Sequence, residues 1–216
     1  MGRLFNYDGQ LMQSLNKITD CIILSFLWLI FSIPIITFGA STTALYYTAN
    51  KVIRHNRSHV LREFWSAFKM NFKQSTVVWF VLFVITIVLG VDFIFLFNMI
   101  KAGKVASWML APFIVMAAFV VMWEIYVFAY IARFQNNLKT IMKNCARLVI
   151  RHLPQSLLLI IICVAELVLT LFIPIVICIL PALRMLLMTF ILEPVFKRYM
   201  SDEDLAAEEE RNRVYY

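Results

Sequence analysis

Five charged side chains, Asp92, Glu124, Glu166, Arg184 and Glu193, stand inside stretches that are otherwise apolar. Ionised groups at membrane depth are costly, so such residues face protein or water and pair with one another or with a ligand. The chemistry open to them is ion pairing between helices, or proton or cation binding along a polar path. Both readings stay open: the acids hold helices together, or Glu166 or Asp92 lines a path or binds a cation.

Other constellations are weaker. His55 and His59, four apart, would share one face of a helix, but no nearby Cys, Asp or third His completes a metal site, and a solvated basic loop is the simpler reading. Cys21, Cys145, Cys163 and Cys178 form no C-x-x-C pair and read as small apolar residues with no disulfide framework. With five glycines in the chain there is no phosphate-binding glycine loop, and H-E-x-x-H and G-x-S-x-G are absent. The expectation is a protein with no catalytic residues, no metal and no cofactor, and so not an enzyme.

The elements that position the charges follow from composition. Of 216 residues 62% are hydrophobic and 15% charged, with a mean hydropathy of +0.81. No soluble core absorbs so much apolar surface. Apolar runs of about 20 residues, at about 1.5 Å per helical residue, cover a hydrocarbon layer of about 30 Å. They are expected at about 18–38, 76–97, 107–132, 154–173 and 181–196, making 1–200 one membrane domain followed by a charged tail, 201–216. The first is a span rather than a cleavable leader, since Asp8 and Asp20 intrude before it and bulky residues follow. Residues 154–196 as one helix would reach about 64 Å, twice the bilayer, and Pro174 and Pro181 interrupt it, so an apolar turn is placed between them. The predicted fold class is all-α: a polytopic helical bundle with interfacial helices.

Basic residues set the orientation, because cytoplasmic loops retain positive charge during insertion. Lys51, Arg54, Arg57, Arg62, Lys69 and Lys73 fall between the first two spans, and Arg133, Lys139, Lys143, Arg147 and Arg151 between the third and fourth. Both loops are expected inside. The amino terminus is then outside and the carboxyl terminus cytoplasmic, and the net charge of +7 reflects topology and contact with anionic lipid, with no nucleic-acid partner. In this arrangement Asp92 and Arg184 lie near the outer leaflet and are placed to pair, Glu166 falls near the middle, and Glu124 and Glu193 approach the inner side, the latter near Lys197 and Arg198.

The stretch FSIPIITFGASTTALYYTANKVIRHNR leaves the first span. Pro34 and Gly39 are expected to break or tilt the helix, Ser41, Thr42 and Thr43 to cap a new one over about 42–54, and Tyr46 and Tyr47 to sit at headgroup depth. This makes either an interfacial elbow or a docking surface. Downstream, Leu138, Ile141, Met142, Cys145, Leu148 and Val149 recur at helical spacing opposite Lys139, Lys143, Asn144, Arg147 and Arg151. That pattern is an amphipathic helix whose apolar face meets membrane or a partner subunit. The tail, with Asp202, Glu203, Asp204, Glu208, Glu209 and Glu210 before a basic and aromatic end, reads as a solvated helix or extension.

SIPIITFGASTTALYY, FWSAFKMNFKQ, YVFAYIARF and ILEPVFKRYM, in this order, resemble the YesL-like family of polytopic membrane proteins from Gram-positive bacteria. The opening FNYDGQLMQSLNKITD is also similar, with Gly9 where Ser is expected, so the resemblance covers nearly the whole chain. It implies no catalytic residues, since the family has none assigned, and an association with carbohydrate ABC importers. NCARLVIRHLP, residues 144–154, is similar to the coupling helix of ABC importer permeases but lacks its central glycine and acidic residue. The expected function is an accessory or partner subunit of carbohydrate import in the plasma membrane, touching the lipid bilayer and an ABC importer permease or other membrane subunit. The alternative is an independent small-solute transporter or channel using intramembrane carboxylates, and the candidate intramembrane polar or ion-pair residues are Asp92, Glu124, Glu166 and Arg184. Partner or interfacial surface is expected at Ser41, Thr42, Thr43, Tyr46, Tyr47, Arg147 and Arg151.

Overall fold

The computed structural model describes residues 10–54, 59–134 and 136–200. Seven α-helices run in the order α1 (Gln10–Ser32), α2 (Phe38–Thr48), α3 (Val60–Lys101), α4 (Leu110–Arg133), α5 (Leu138–Arg151), α6 (Leu153–Phe172) and α7 (Leu180–Lys197), and no strand occurs among the described residues. Four of them, α1, α3, α4 and α6, are long and apolar enough to cross a membrane. Pro154 opens α6 and Pro181 opens α7, positions where the missing amide donor costs nothing. The turn expected between Pro174 and Pro181 is a short 3-10 segment, Pro174–Cys178.

The fifth expected span corresponds to α7, whose 18 residues carry Arg184, Glu193 and Lys197. Half of its residues are buried, against only Ser156 and Leu159 in α6. α7 is therefore an inner helix, packed on α1, α2, α6 and the turn after α2. The outward faces of α3 and α6 instead expose Phe80, Val91, Phe95, Ile161, Leu167 and Leu171, the surface a helix presents to lipid.

Two expected features differ. The basic stretch before the second span is the first third of α3, a single helix of 42 residues, about 63 Å long. Phe64, Ala67, Phe68, Asn71 and Ser75 repeat at three- and four-residue spacing and bury one face, so packing continues the helix past the apolar run. The second difference concerns α2. It begins at Phe38 and nearly all of it is buried, so it is a core helix and neither an interfacial elbow nor a docking surface. Without a polar face it has no stripe to offer to water. Gly39 does not break the chain: it lies inside α2, where a Cβ would meet Trp79 Cβ at 2.6 Å and the Ser75 carbonyl oxygen at 2.7 Å. Its missing side chain lets α2 and α3 approach closely. The bend between α1 and α2 falls at Ile33–Pro34, before the glycine.

Candidate functional site

Ser41, Thr42 and Thr43 are expected to cap a helix, yet no side chain caps α2. Because the helix starts three residues earlier, all three hydroxyls sit within it and are buried. Ser41 Oγ donates to the Phe38 carbonyl and Thr43 Oγ1 to that of Gly39, at 2.9 Å each. They also stitch α2 to its neighbours: Ser41 to Ser32 at 2.7 Å, Thr43 to Ser75 at 2.9 Å, and Trp28 Nε1 donates to Thr42 Oγ1 at 3.2 Å. Small hydroxyl residues serve here as glue between close helices, as is usual inside membrane bundles.

After Thr48 the helix widens into a π-helical turn, Ala49–Arg54. Tyr46, Asn50 and Arg54, four apart, all reach α7. Tyr46 Oη and Asn50 Nδ2 donate to Glu193 Oε1 at 3.1 and 2.8 Å, and Arg54 Nη1 donates to the Thr189 carbonyl at 3.0 Å. On the other side Arg133, at the end of α4, pairs with Glu193 Oε2 at 3.3 Å. Glu193 is 1% exposed and engaged at both oxygens, which is what a buried carboxylate requires. Lys197 and Arg198, expected near Glu193, are exposed, and Arg133 of α4 pairs with it from within the bundle. Tyr46 is thus a core residue rather than a headgroup anchor. Tyr47, half-buried, accepts a bond from Lys51 Nζ at 3.0 Å, and Lys51 also pairs with Glu63 at 2.8 Å. Burial opposes the Lys51 charge, but the bonds from Glu63 and Tyr47 outweigh it and hold its pKa above the usual lysine value.

A second charged group joins α6 and α7 beside α4. Arg184 Nη1 pairs with Glu166 Oε2 at 2.7 Å, with side-chain exposures of 19% and 13%. Asp92, expected to pair with Arg184, is exposed on α3 and joins neither group. Arg184 instead follows the short connection between α6 and α7, which brings those two helices side by side. Glu124 faces the same region from α4. Together with Arg184 it lines a cavity of about 260 Å³ whose walls include Phe38, Thr42, Tyr46 and Phe128. Glu124 and Val121 also border a second cavity of about 250 Å³ between α3 and α4, reaching Gly90 and Phe93.

The amphipathic pattern of residues 138–151 is helix α5, but its apolar face lies on α4, so Ile141, Cys145, Leu148 and Val149 are covered by protein. Trp123 Nε1 donates to the Met142 carbonyl at 3.0 Å and ties the two helices together. Arg147 and Arg151 are on the outer side of α5, both exposed, and the Arg151 guanidinium sits 5.6 Å over the Tyr199 ring. His152, at the joint with α6, hydrogen-bonds Tyr199 Oη at 3.0 Å. Burial first, then the nearby Arg198 and Arg151 charges, hold the His152 pKa below the ordinary imidazole value.

Among the described residues no group of three or more His, Cys, Asp or Glu converges to hold a metal. His59 caps α3 in a left-handed conformation at φ 82°, while His55 and the acidic tail lie outside the described residues. Of the Tyr46, Asn50, Arg133 and Glu193 group, Glu193 was legible as a charge inside an apolar run, while Asn50 was missed, its signal being the four-residue spacing from Tyr46.

Fold and site together define a helical membrane bundle with internally paired charges. Residues 21–93, from within α1 through α2 and most of α3, match the family described as a protein of unknown function, DUF624. No curated protein and no solved structure matches the chain.

Proposed function

We propose that this chain is a membrane-embedded accessory or partner subunit associated with carbohydrate ABC-type import, oriented with its amino terminus outside and its carboxyl terminus in the cytoplasm. The observation that carries the reading is the internal pairing of two of its membrane acids, Glu166 and Glu193. Glu166 is matched by Arg184 and Glu193 by Arg133, Tyr46 and Asn50, so these acids act as links between helices. In the proposed orientation the first third of α3 reaches the cytoplasm, where Arg62, Lys69 and Lys73 stand exposed beside Trp65 and Met70. Arg147 and Arg151 of α5 add to the basic surface. Arginine and aromatic residues are the types enriched where proteins meet. The carbohydrate element rests on the resemblance to YesL-like proteins.

The test is isolation of the tagged protein from its native membrane in mild detergent, with mass spectrometry of what accompanies it. Stoichiometric recovery of a permease is expected, reduced by Arg147→Gln with Arg151→Gln while membrane insertion persists. Recovery of the chain alone overturns the reading. It would favour the second one, an independent small-solute transporter, for which the specific support is Glu124 at a cavity wall. Glu124→Gln would then abolish flux into liposomes that contain only this protein.

A further inference from the structure

We propose that the cavity between α2, α4, α6 and α7 binds a small organic molecule carrying one primary ammonium group, held by Glu124. The argument begins with charge. Glu124, Glu166 and Arg184 form a group of two carboxylates and one guanidinium, and Arg184 is taken by Glu166 at 2.7 Å. Among the described residues no side chain hydrogen-bonds to Glu124 or pairs with it. When ionised, the three side chains carry a net charge of −1 in largely apolar surroundings, where an unbalanced carboxylate is costly and a cation is a matching ligand.

The walls select the kind of cation. A metal ion of the calcium type takes six to eight oxygen ligands, whereas Glu124 supplies the only carboxylate on this cavity among the described residues; Arg184 also lines it, its guanidinium held by Glu166, and much of the remaining wall is Val121, Ile125, Met185 and Met188. An ammonium with an apolar body suits such a lining. Its charged head has an acceptor in the Glu124 carboxylate, and the aromatic residues Phe38 and Phe128 also line the cavity. The volume of about 260 Å³ admits a molecule of about ten heavy atoms, near the lower end of ligand pockets. Because Glu124 and Val121 also border the cavity between α3 and α4, that side, open at Gly90, forms the approach. The site stands whether or not the chain has a protein partner.

The test uses the full chain in nanodiscs and equilibrium dialysis of radiolabelled 2-phenylethylammonium, with empty nanodiscs as baseline and 2-phenylethanol as the neutral molecule of the same shape. Saturable binding of the ammonium at one site per chain is expected, with the alcohol at baseline. Glu124→Gln should weaken binding by at least about tenfold, the worth of one charge-assisted hydrogen bond. Val121→Phe fills the cavity without altering charge and should weaken it too. Asp92→Asn, the same loss of charge on the exposed face of α3, should leave it unchanged. Each variant is compared only if it elutes from size exclusion as the parent does. Equal uptake of the alcohol, baseline uptake of the ammonium, or undiminished binding by both Glu124→Gln and Val121→Phe would overturn the proposal.

Discussion

Gly39→Ala offers the sharpest check on the packing of α2. Helix propensity alone predicts a gain, since Ala is favoured over Gly in a helix by about 1 kcal/mol. The structure predicts the opposite sign. The new Cβ would stand 2.6 Å from Trp79 Cβ and 2.7 Å from the Ser75 carbonyl oxygen, against about 3.5–4.0 Å for relaxed carbon contacts. Both atoms are fixed to the α3 backbone, so no rotamer change relieves them. Only the third neighbour, Phe128 Cε1 at 3.0 Å, can swing aside. α2 and α3 must then separate by about 1 Å, which stretches the Thr43–Ser75 bond of 2.9 Å. Overpacking of about 1–3 kcal/mol and a weakened hydrogen bond of about 1 kcal/mol exceed the propensity gain, leaving a net loss of about 2 kcal/mol. The assay is the midpoint of unfolding in an SDS titration of detergent-solubilised protein, followed by tryptophan fluorescence. Gly90→Ala is the paired control. It lies in α3, where an added methyl group would meet nothing within 4 Å, so it should stabilise by up to about 1 kcal/mol. Gly39→Ala as stable as the parent would refute the close approach of α2 and α3.

Arg184→Met alone should destabilise by about 3 kcal/mol, because Glu166 loses its partner, while Arg184→Met with Glu166→Leu should recover most of that loss; a double-mutant cycle in the same titration measures it. Glu193→Leu should cost about as much, since Tyr46 and Asn50 lose their acceptor and Arg133 its partner, and Glu193→Gln should cost less. His152 has its pKa lowered in the fold, so the unfolded chain binds the proton more readily as pH drops below about 6.5, the unperturbed value. The neutral ring's contribution is full above that pH and is lost as pH falls through the lower folded pKa. The unfolding midpoint of the parent should therefore fall with pH across that window more steeply than that of His152→Gln.

Much of the architecture was legible because burial in lipid needs only length and composition. The apolar runs at 76–97 and 107–132 fall inside α3 and the segment ending in α4, the run at 154–173 overlaps α6 to within a residue, and the prolines at 174 and 181 mark the connection to α7. Of the charged residues within apolar runs, Glu124 and Arg184 share a cavity and Glu166 pairs with Arg184, while Asp92 stands apart, exposed on α3. Hydroxyls and tyrosines after a proline, by contrast, look the same whether the chain returns into the bundle or lies along a membrane surface.

The sequence by itself determined that this is a helical membrane bundle and which of its residues carry charge at costly positions, since both follow from local composition and the thickness of a bilayer. Only the tertiary structure decided that Arg184 pairs with Glu166 and not Asp92, that Glu193 is held by Arg133, and that α2 is a core helix. Those outcomes depend on which helices become neighbours and how closely, and that is settled by contacts between distant segments, such as the space a missing side chain at Gly39 opens toward Ser75 and Trp79.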